Sequence, residues 1–186
     1  MTGSKVSLCP VEPQDAELWY AWLNDPDVAV PLGSEAFTAI TLPGMQEAAA
    51  RMMSSGDPVF TIVHNETDRA IGRCMLFHVD HINRTANVGI FIGEADCRGG
   101  GLGTEALTLL LDYGFCLLNL HAVMLGVYAF NEHALACYRK VGFREIGRRR
   151  QMRLIDGKYY DGILMDILED EFRGKQPVSR LPVHGE

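Results

Sequence analysis

The sequence has no apolar run of membrane-spanning length, and its first residues lack the charged-plus-apolar pattern of an export signal. It has no C-x-x-C pair, and its five cysteines are odd in number and widely spaced, which indicates reduced thiols. Its six histidines show no H-E-x-x-H or comparable ligand spacing. We therefore expect a cytoplasmic protein that has no membrane partner and no metal site.

Basic residues are also scarce. The chain carries 17 Lys and Arg against 24 Asp and Glu, a formal net charge of −7. This balance leaves no basic stripe to neutralise phosphates, so we expect no nucleic-acid partner. It mildly favours cationic substrates such as amines.

The length and composition fit one domain. A chain of 186 residues can bury a sizeable core but is short for two domains, and its apolar and charged fractions are ordinary. We predict a domain over residues 1–172. We expect residues 173–186 to form a flexible C-terminal tail, because that stretch holds two prolines and few apolar residues.

The most informative stretch runs from Thr85 to Glu105. It opens with an apolar, β-branched run typical of a buried strand, and a helical apolar pattern begins at Leu102. Between the two lie four glycines, Gly99, Gly100, Gly101 and Gly103. Because glycine permits close approach and the first N–H groups of a helix have no internal partner, this stretch predicts a pyrophosphate site.

Two familiar phosphate loops fit this stretch poorly. Gly101 to Ala106 formally matches G-x-G-x-x-A, but the apolar run ends near Ile92, well before the glycines. No lysine follows the glycines, which excludes a P-loop. The pattern R-x-x-G-x-G, over Arg98 to Gly103, is the better match.

A second block, from Asn131 to Phe143, reads N-x-x-A-x-x-x-Y-x-x-x-G-F. Together the two motifs resemble those of the GCN5-related N-acetyltransferase (GNAT) superfamily. The stretches Asp112 to Leu120 and Asp156 to Asp161 resemble the subgroup of spermidine acetyltransferases and acetyltransferases of ribosomal-protein N-termini. The resemblance covers roughly Val6 to Phe172.

The resemblance implies a single-domain α/β (α+β) fold, with a mixed, twisted sheet of about seven strands and four main helices. It also implies acetyl-CoA as cofactor, Tyr138 as the general acid that protonates the leaving thiolate, and a homodimer or higher homo-oligomer by analogy. The residues it assigns to cofactor binding are Phe91, Ile92, Gly93, Arg98, Gly99, Gly100, Gly101, Leu102, Gly103, Thr104, Asn131 and Ala134. We expect free N–H groups along Phe91 to Gly93 to bond the pantetheine arm, which requires the two central strands to diverge.

The general base stays open. Many relatives place a glutamate on the strand before the glycines, but Asn87 stands in the corresponding region, and asparagine cannot accept a proton. The remaining candidates are Glu94, Asp96, His78, His81 and Tyr128.

The rest of the chain predicts the sheet and its helices. Strands are expected at Lys5 to Cys9, Pro58 to His64, Ala70 to Val79, Thr85 to Gly93, Ala122 to Tyr128, Phe143 to Leu154 and Tyr159 to Leu168. Helices are expected from Glu12 to about Asn24, from Pro43 to about Gly56, from Leu102 to about Leu118 and from Glu132 to Val141. We expect a sparsely patterned loop over Val28 to Leu42.

In relatives the first two helices lie over the acceptor site. Their tryptophans and methionines are expected to be core residues rather than a substrate wall, and Glu35 and Glu47 are possible amine ligands. Four arginines near the end, Arg148, Arg149, Arg150 and Arg153, are read as a solvated hairpin or a subunit contact rather than a phosphate clamp.

Three functions remain. The first is acetylation of a primary amine of a small molecule such as a polyamine. The second is acetylation of a protein N-terminus, which needs an open groove between the N-terminal helices and the last hairpin. The third is a non-catalytic coenzyme A-binding sensor.

Overall fold

Seven strands form one sheet in the order β1-β2-β3-β4-β5-β7-β6 in the computed structural model, which describes residues 1–33 and 38–174. The strands are β1 Val6–Pro10, β2 Val59–His64, β3 Arg69–Asp80, β4 Thr85–Ile92, β5 Ala122–Tyr128, β6 Arg144–Ile155 and β7 Lys158–Leu168. Only β4 and β5 pair in parallel, and all other neighbours are antiparallel. The mixed seven-stranded α/β sheet expected from the sequence is therefore confirmed.

Six helices accompany the sheet within the described residues. They are α1 Asp15–Leu23, α2 Pro26–Leu32, α3 Leu42–Ser54, α4 Leu102–Cys116, α5 Glu132–Val141 and α6 Glu169–Arg173. The four longer helices, α1, α3, α4 and α5, are the four main helices predicted. The short helices α2 and α6 were not predicted.

Helix α2 corrects the loop expected over Val28 to Leu42. The first predicted helix ends at about Asn24, and the next helix begins directly after it, at Pro26. The Asp25 carboxylate accepts from the Asp27 N–H at 3.0 Å, and Pro26 occupies the first turn, where its missing N–H costs nothing.

Two apolar clusters cover opposite faces of the sheet. Ile71 belongs to a large cluster with α4, α5 and α6, whereas its neighbour Ala70 packs with α1, α2 and α3. Adjacent residues of a strand point to opposite faces, so the helices sandwich the sheet. Trp19 and Trp22 are buried in the second cluster, which confirms the core role expected of them.

The described residues end just after the short helix α6. Arg173 ends α6 and its Nε donates to Glu169 at 3.0 Å, while residues 175–186 lie outside the described residues. No helix in the described part of the chain is both long and apolar enough to cross a membrane.

Candidate active site

Strands β4 and β5 separate part-way along their length. They pair only at Thr85 with Ala122, Ala86 with Val123, and Asn87 with Met124. Beyond Asn87, β4 still pairs with β3 and β5 still pairs with β7, but β4 and β5 no longer pair with each other. The result is a cleft of about 1940 Å³ through the middle of the sheet, and it confirms the expected divergence.

The glycine loop lies at one side of this cleft. Gly99 and Gly101 have φ of +81° and +83°, a left-handed conformation that favours glycine. Gly101 is the N-cap residue of α4, and as a glycine it has no side chain to bond the first N–H groups of that helix. A Cβ placed at Gly99 or Gly100 would meet no atom within 4 Å, so open space lies in front of the loop. This is the geometry that a diphosphate needs.

Arg98 braces the loop through carbonyl groups. Its Nε donates to the Ile92 carbonyl at 3.2 Å and its Nη2 to the Gly93 carbonyl at 2.8 Å. The guanidinium is therefore engaged with the end of β4. Arg98 lines the cleft, but these bonds give its charge a structural use that the motif alone does not reveal.

Fewer backbone N–H groups at the end of β4 are free to bond a cofactor than the sequence predicted. The Gly93 N–H donates to the Ile71 carbonyl at 2.9 Å, which corrects its assignment as a free donor. The antiparallel alternation then directs the Phe91 N–H to β3 as well, and the Ile92 N–H toward the cleft. Ile92 is the best placed of the three donors.

Helix α5 forms the opposite side of the cleft. The Asn131 side chain accepts from the Ala134 N–H at 3.1 Å, so it caps the helix as its position suggested. Thr104 of α4 and Cys137 of α5 are in contact, with Oγ1 and Sγ 3.4 Å apart. This contact holds the glycine-loop helix against the helix that carries Tyr138.

Tyr138 lies on α5, on the side of the cleft that this helix forms. Its ring packs edge-on against Phe143, with centroids 5.8 Å apart, and it lines the cleft. Burial, together with the nearby Cys137, raises the pKa of Tyr138 to about 12. The hydroxyl therefore stays protonated through the physiological range and can donate a hydrogen bond to a developing anion.

Most of the predicted cofactor residues meet in this one cleft. Eleven of the thirteen predicted catalytic and cofactor residues line it: Phe91, Ile92, Arg98, Gly99, Gly100, Gly101, Gly103, Thr104, Asn131, Ala134 and Tyr138. The other two do not line it. Leu102 is 7% exposed and packs in the core, and Gly93 lies against the Trp22 ring.

Two of the base candidates have other partners. Glu94 accepts from the Trp22 indole nitrogen at 2.9 Å, and Asp96 pairs with Arg69 at 2.7 Å. The Arg69 hydrogen bond holds the pKa of Asp96 below its usual range, which makes this carboxylate a weak base. Neither Glu94 nor Asp96 lines the cleft.

The histidine candidates are also outside the cleft. His78 and His81 are exposed in and after the distal end of β3. Tyr128 does line the cleft, where its ring stacks on Phe130 and faces the Arg153 guanidinium carbon at 5.2 Å. Of the five candidates, only this phenol reaches the site.

The part of the cleft that α2 and the last hairpin line is the candidate acceptor end. Helix α2 contributes Asp27, Pro31 and Leu32, and β6 contributes Arg149 and Met152. Sequence reasoning missed Asp27 because it missed α2. Glu47 does not line this cleft and instead pairs with Arg51 at 3.7 Å, while Glu35 lies outside the described residues.

The arginines of β6 have different environments. Arg148 pairs with Glu145 and Asp161, as expected of a solvated hairpin. Arg153 is only 7% exposed, which corrects the solvated reading at this position. Arg149 faces the cleft, so it adds positive charge to the acceptor end.

Comparison with known protein families identifies the family of this chain. The acetyltransferase (GNAT) domain model matches residues 5–144, more than half of the chain. The chain belongs to the GNAT acetyltransferase family. GNAT acetyltransferases use acetyl-CoA, and the glycine loop fits its diphosphate.

Specific relatives extend this result. The chain is 33% identical over 119 residues to the spermidine N(1)-acetyltransferase of Escherichia coli, an alignment that covers 59% of this chain and 63% of that enzyme. The fold matches spermidine N-acetyltransferase of Vibrio cholerae in complex with CoA and spermine, with a TM-score of 0.82, 24% identity and coverage of 91% and 99%. A dodecameric structure of the Vibrio cholerae enzyme matches with a TM-score of 0.77, 24% identity and coverage of 94% and 100%.

Within the residues that the structure describes, no group of three or more His, Cys, Asp or Glu side chains could hold a metal ion.

Proposed function

We propose that this chain transfers the acetyl group of acetyl-CoA to the primary amine of a small molecule, with polyamines as the first acceptor class. The observation that carries the proposal is the separation of β4 and β5 beyond Asn87. It joins the glycine loop to the acceptor end through a single cleft, with Tyr138 on the wall.

The residues supply three functions in this reaction. When bound, acetyl-CoA supplies a thioester carbonyl that an amine can attack. The open amides after Gly101 hold the diphosphate, and the Ile92 N–H polarises a carbonyl oxygen in the cleft. The Tyr138 hydroxyl, kept neutral by its raised pKa, donates to the departing sulfur.

Proton removal from the amine does not require a dedicated base in this proposal. Of the sequence's base candidates, only Tyr128 lines the cleft, and it is a phenol. We infer that the amine enters the cleft in its neutral form. The proton that its nitrogen loses after attacking the carbonyl then leaves to water. At pH 7 about one in 2,500 molecules of an alkyl amine with a pKa near 10.4 is neutral. The reaction should therefore accelerate with pH.

Three features support a polyamine acceptor. They are the similarity to spermidine acetyltransferases, the formal charge of −7, and Asp27 at the acceptor end. Arg149 at the same end opposes a polycation and limits how tightly it binds.

A thiol-release assay with acetyl-CoA over an amine panel tests the proposal. Saturable turnover with spermidine or another small amine is the expected result. Turnover restricted to N-terminal peptides would establish the second candidate instead. Tight coenzyme A binding without turnover of any acceptor would favour a sensor.

N-terminal acetylation has one specific observation in its favour. The cleft runs between α2 and the final hairpin, the groove that a peptide N-terminus requires. Matched peptides with free and blocked N-termini separate this activity from acetylation of lysine side chains.

We also propose self-association and a cytoplasmic location. Met124 is 38% exposed on β5, on the same face as Leu164 and Met152, which are 42% and 45% exposed and also line the cleft. This apolar face supports contact with a second copy next to the cleft. The five cysteines all lie within the described residues and form no disulfide, which supports a reducing compartment. Light scattering of wild type and Met124→Lys tests the association, and loss of the oligomer in the variant is expected.

A further inference from the structure

The segment before β1 lies across the glycine loop. The Glu105 carboxylate, in the first turn of α4, accepts from the Ser4 N–H, from the Ser4 hydroxyl at 2.9 Å and from the Lys5 N–H at 3.2 Å. Gly3 permits this approach, since a Cβ there would collide with the Glu105 carboxylate. The backbone of Lys5 is thereby fixed beside the loop, far from it in sequence.

The Lys5 side chain ends on the loop itself. Its Nζ donates to the Gly100 carbonyl at 3.1 Å and lies 3.9 Å from the position of a Cβ on Gly101. An ammonium group has three N–H donors, and this bond uses one of them. Lys5 is exposed and lines the cleft at the point where open space lies in front of the glycines.

Few other cations can reach a diphosphate at this point. Among described residues, the Lys and Arg side chains that line the cleft are Lys5, Arg98, Lys140 and Arg149. Arg98 is bonded to the carbonyls of Ile92 and Gly93, Lys140 is in the last turn of α5, and Arg149 is on β6 at the acceptor end. Of these four described side chains, the Lys5 ammonium is the one that bonds the Gly100 carbonyl of the glycine loop.

We propose that Lys5 binds the pyrophosphate of acetyl-CoA. The ammonium bridges the Gly100 carbonyl and a phosphate oxygen, and it adds a positive charge to a loop that otherwise offers peptide dipoles. This inference rests on acetyl-CoA as the cofactor, and it does not depend on which amine is acetylated.

Calorimetric titration of the whole chain with CoA and with 3′-dephospho-CoA tests the assignment without an acceptor. Lys5→Gln should weaken the binding of both ligands by the same factor, about tenfold, because both contain the pyrophosphate. The salt dependence of Kd should also become shallower, since one charge contact is lost. Lys5→Arg should stay within about threefold of wild type.

Lys158→Gln is the matched control. Its Nζ lies 4.9 Å from the Tyr160 ring in the last hairpin, outside the cleft, so both Kd values should be unchanged. Equal affinities of Lys5→Gln and wild type would overturn the proposal. If Lys5→Gln weakens the binding of CoA but not of 3′-dephospho-CoA, Lys5 contacts the 3′-phosphate instead of the pyrophosphate. If the affinity falls but its salt dependence stays that of wild type, Lys5 only supports the Gly100 backbone. Either result contradicts the proposal. Absence of CoA binding by wild type would overturn the cofactor site as well, whereas absence of amine turnover would leave this test intact.

Discussion

Asn87 of β4 lies directly opposite Met124 of β5, at the last pair before the two strands separate. Asn87 lines the cleft. Its amide cannot take a proton, so this position supplies no base at the point where the two strands separate.

The first prediction concerns pH. For wild type, log(kcat/KM) with an alkyl amine should rise with a slope near one between about pH 7 and 9, because only the neutral amine reacts. Asn87→Glu should flatten this slope and raise kcat/KM at pH 7 several-fold. Asn87→Gln serves as the size-matched control and should keep the wild-type slope. A plateau in wild type at neutral pH would reveal a base within the protein.

The second prediction concerns Tyr138→Phe. The ring keeps its edge contact with Phe143, so the melting temperature and the CoA affinity should change little. Loss of the hydroxyl should lower kcat about 100-fold. Tyr128→Phe, in the same cleft, should lose far less. Parallel losses of kcat and CoA affinity in Tyr138→Phe would contradict the acid role.

The third prediction follows from the raised pKa of Tyr138. Burial favours its neutral form, so the proton is retained up to a pKa of about 12 in the folded protein. The stabilising effect of the neutral form is fully present below the ordinary pKa near 10 and is lost as the pH rises through about 12. Denaturant titrations should therefore show wild type losing more stability than Tyr138→Phe across this window. Identical pH dependence would place the phenol in water.

The fourth prediction compares two glycines. Gly100→Ala should fold with nearly unchanged stability, because its Cβ meets no atom within 4 Å, yet it should bind CoA at least tenfold more weakly. Gly93→Ala should instead lower the free energy of unfolding by about 1–3 kcal/mol, since its Cβ would collide with the buried Trp22 ring. Chemical denaturation and calorimetry separate the two effects. A destabilised Gly100→Ala with normal affinity would contradict the open diphosphate site.

The fifth prediction concerns charge at the acceptor end. Arg149→Glu should raise kcat/KM for spermidine about tenfold and leave small monoamines nearly unaffected, because it replaces a repulsive charge by an attractive one. Arg150→Glu is the control. Arg150 is the next residue but lines a separate shallow pocket with Gln151 and Asp161, so this change should have little effect. Equal responses of the two variants would indicate only a general field effect.

The sequence predicted best those elements that its local pattern determines. The bounds of β5 and α5 agree with the expected residues, because alternating burial defines Ala122–Tyr128 and the Asn131 cap defines Glu132–Val141. Helix α2 was missed because seven residues with an internal Pro31 show little periodicity. Its start signal was present in Asp25 and Pro26, which serve equally as a stop and a start.

The candidate site was predictable only as far as its motifs extend. The motifs identified the glycine loop and Tyr138, but bonds between distant segments decide how the neighbouring side chains are used. Arg98 bonds to the end of β4, and Lys5 reaches the loop from the segment before β1, across 95 residues of sequence. Four of the five base candidates lie outside the cleft for the same reason, because only the folded sheet determines which of them face it.

The short parallel ladder between β4 and β5 also has a mechanical consequence. One half of the sheet contains β1 to β4 and the other contains β5 to β7, and the strands within each half are paired over longer stretches. Only three residue pairs, between β4 and β5, join the two halves. The weakest junction in the sheet therefore coincides with the candidate cofactor cleft. If the cofactor arm bonds along β4 as proposed, it takes the position of a missing strand, so we expect CoA binding to connect the two halves and slow amide exchange well away from the ligand.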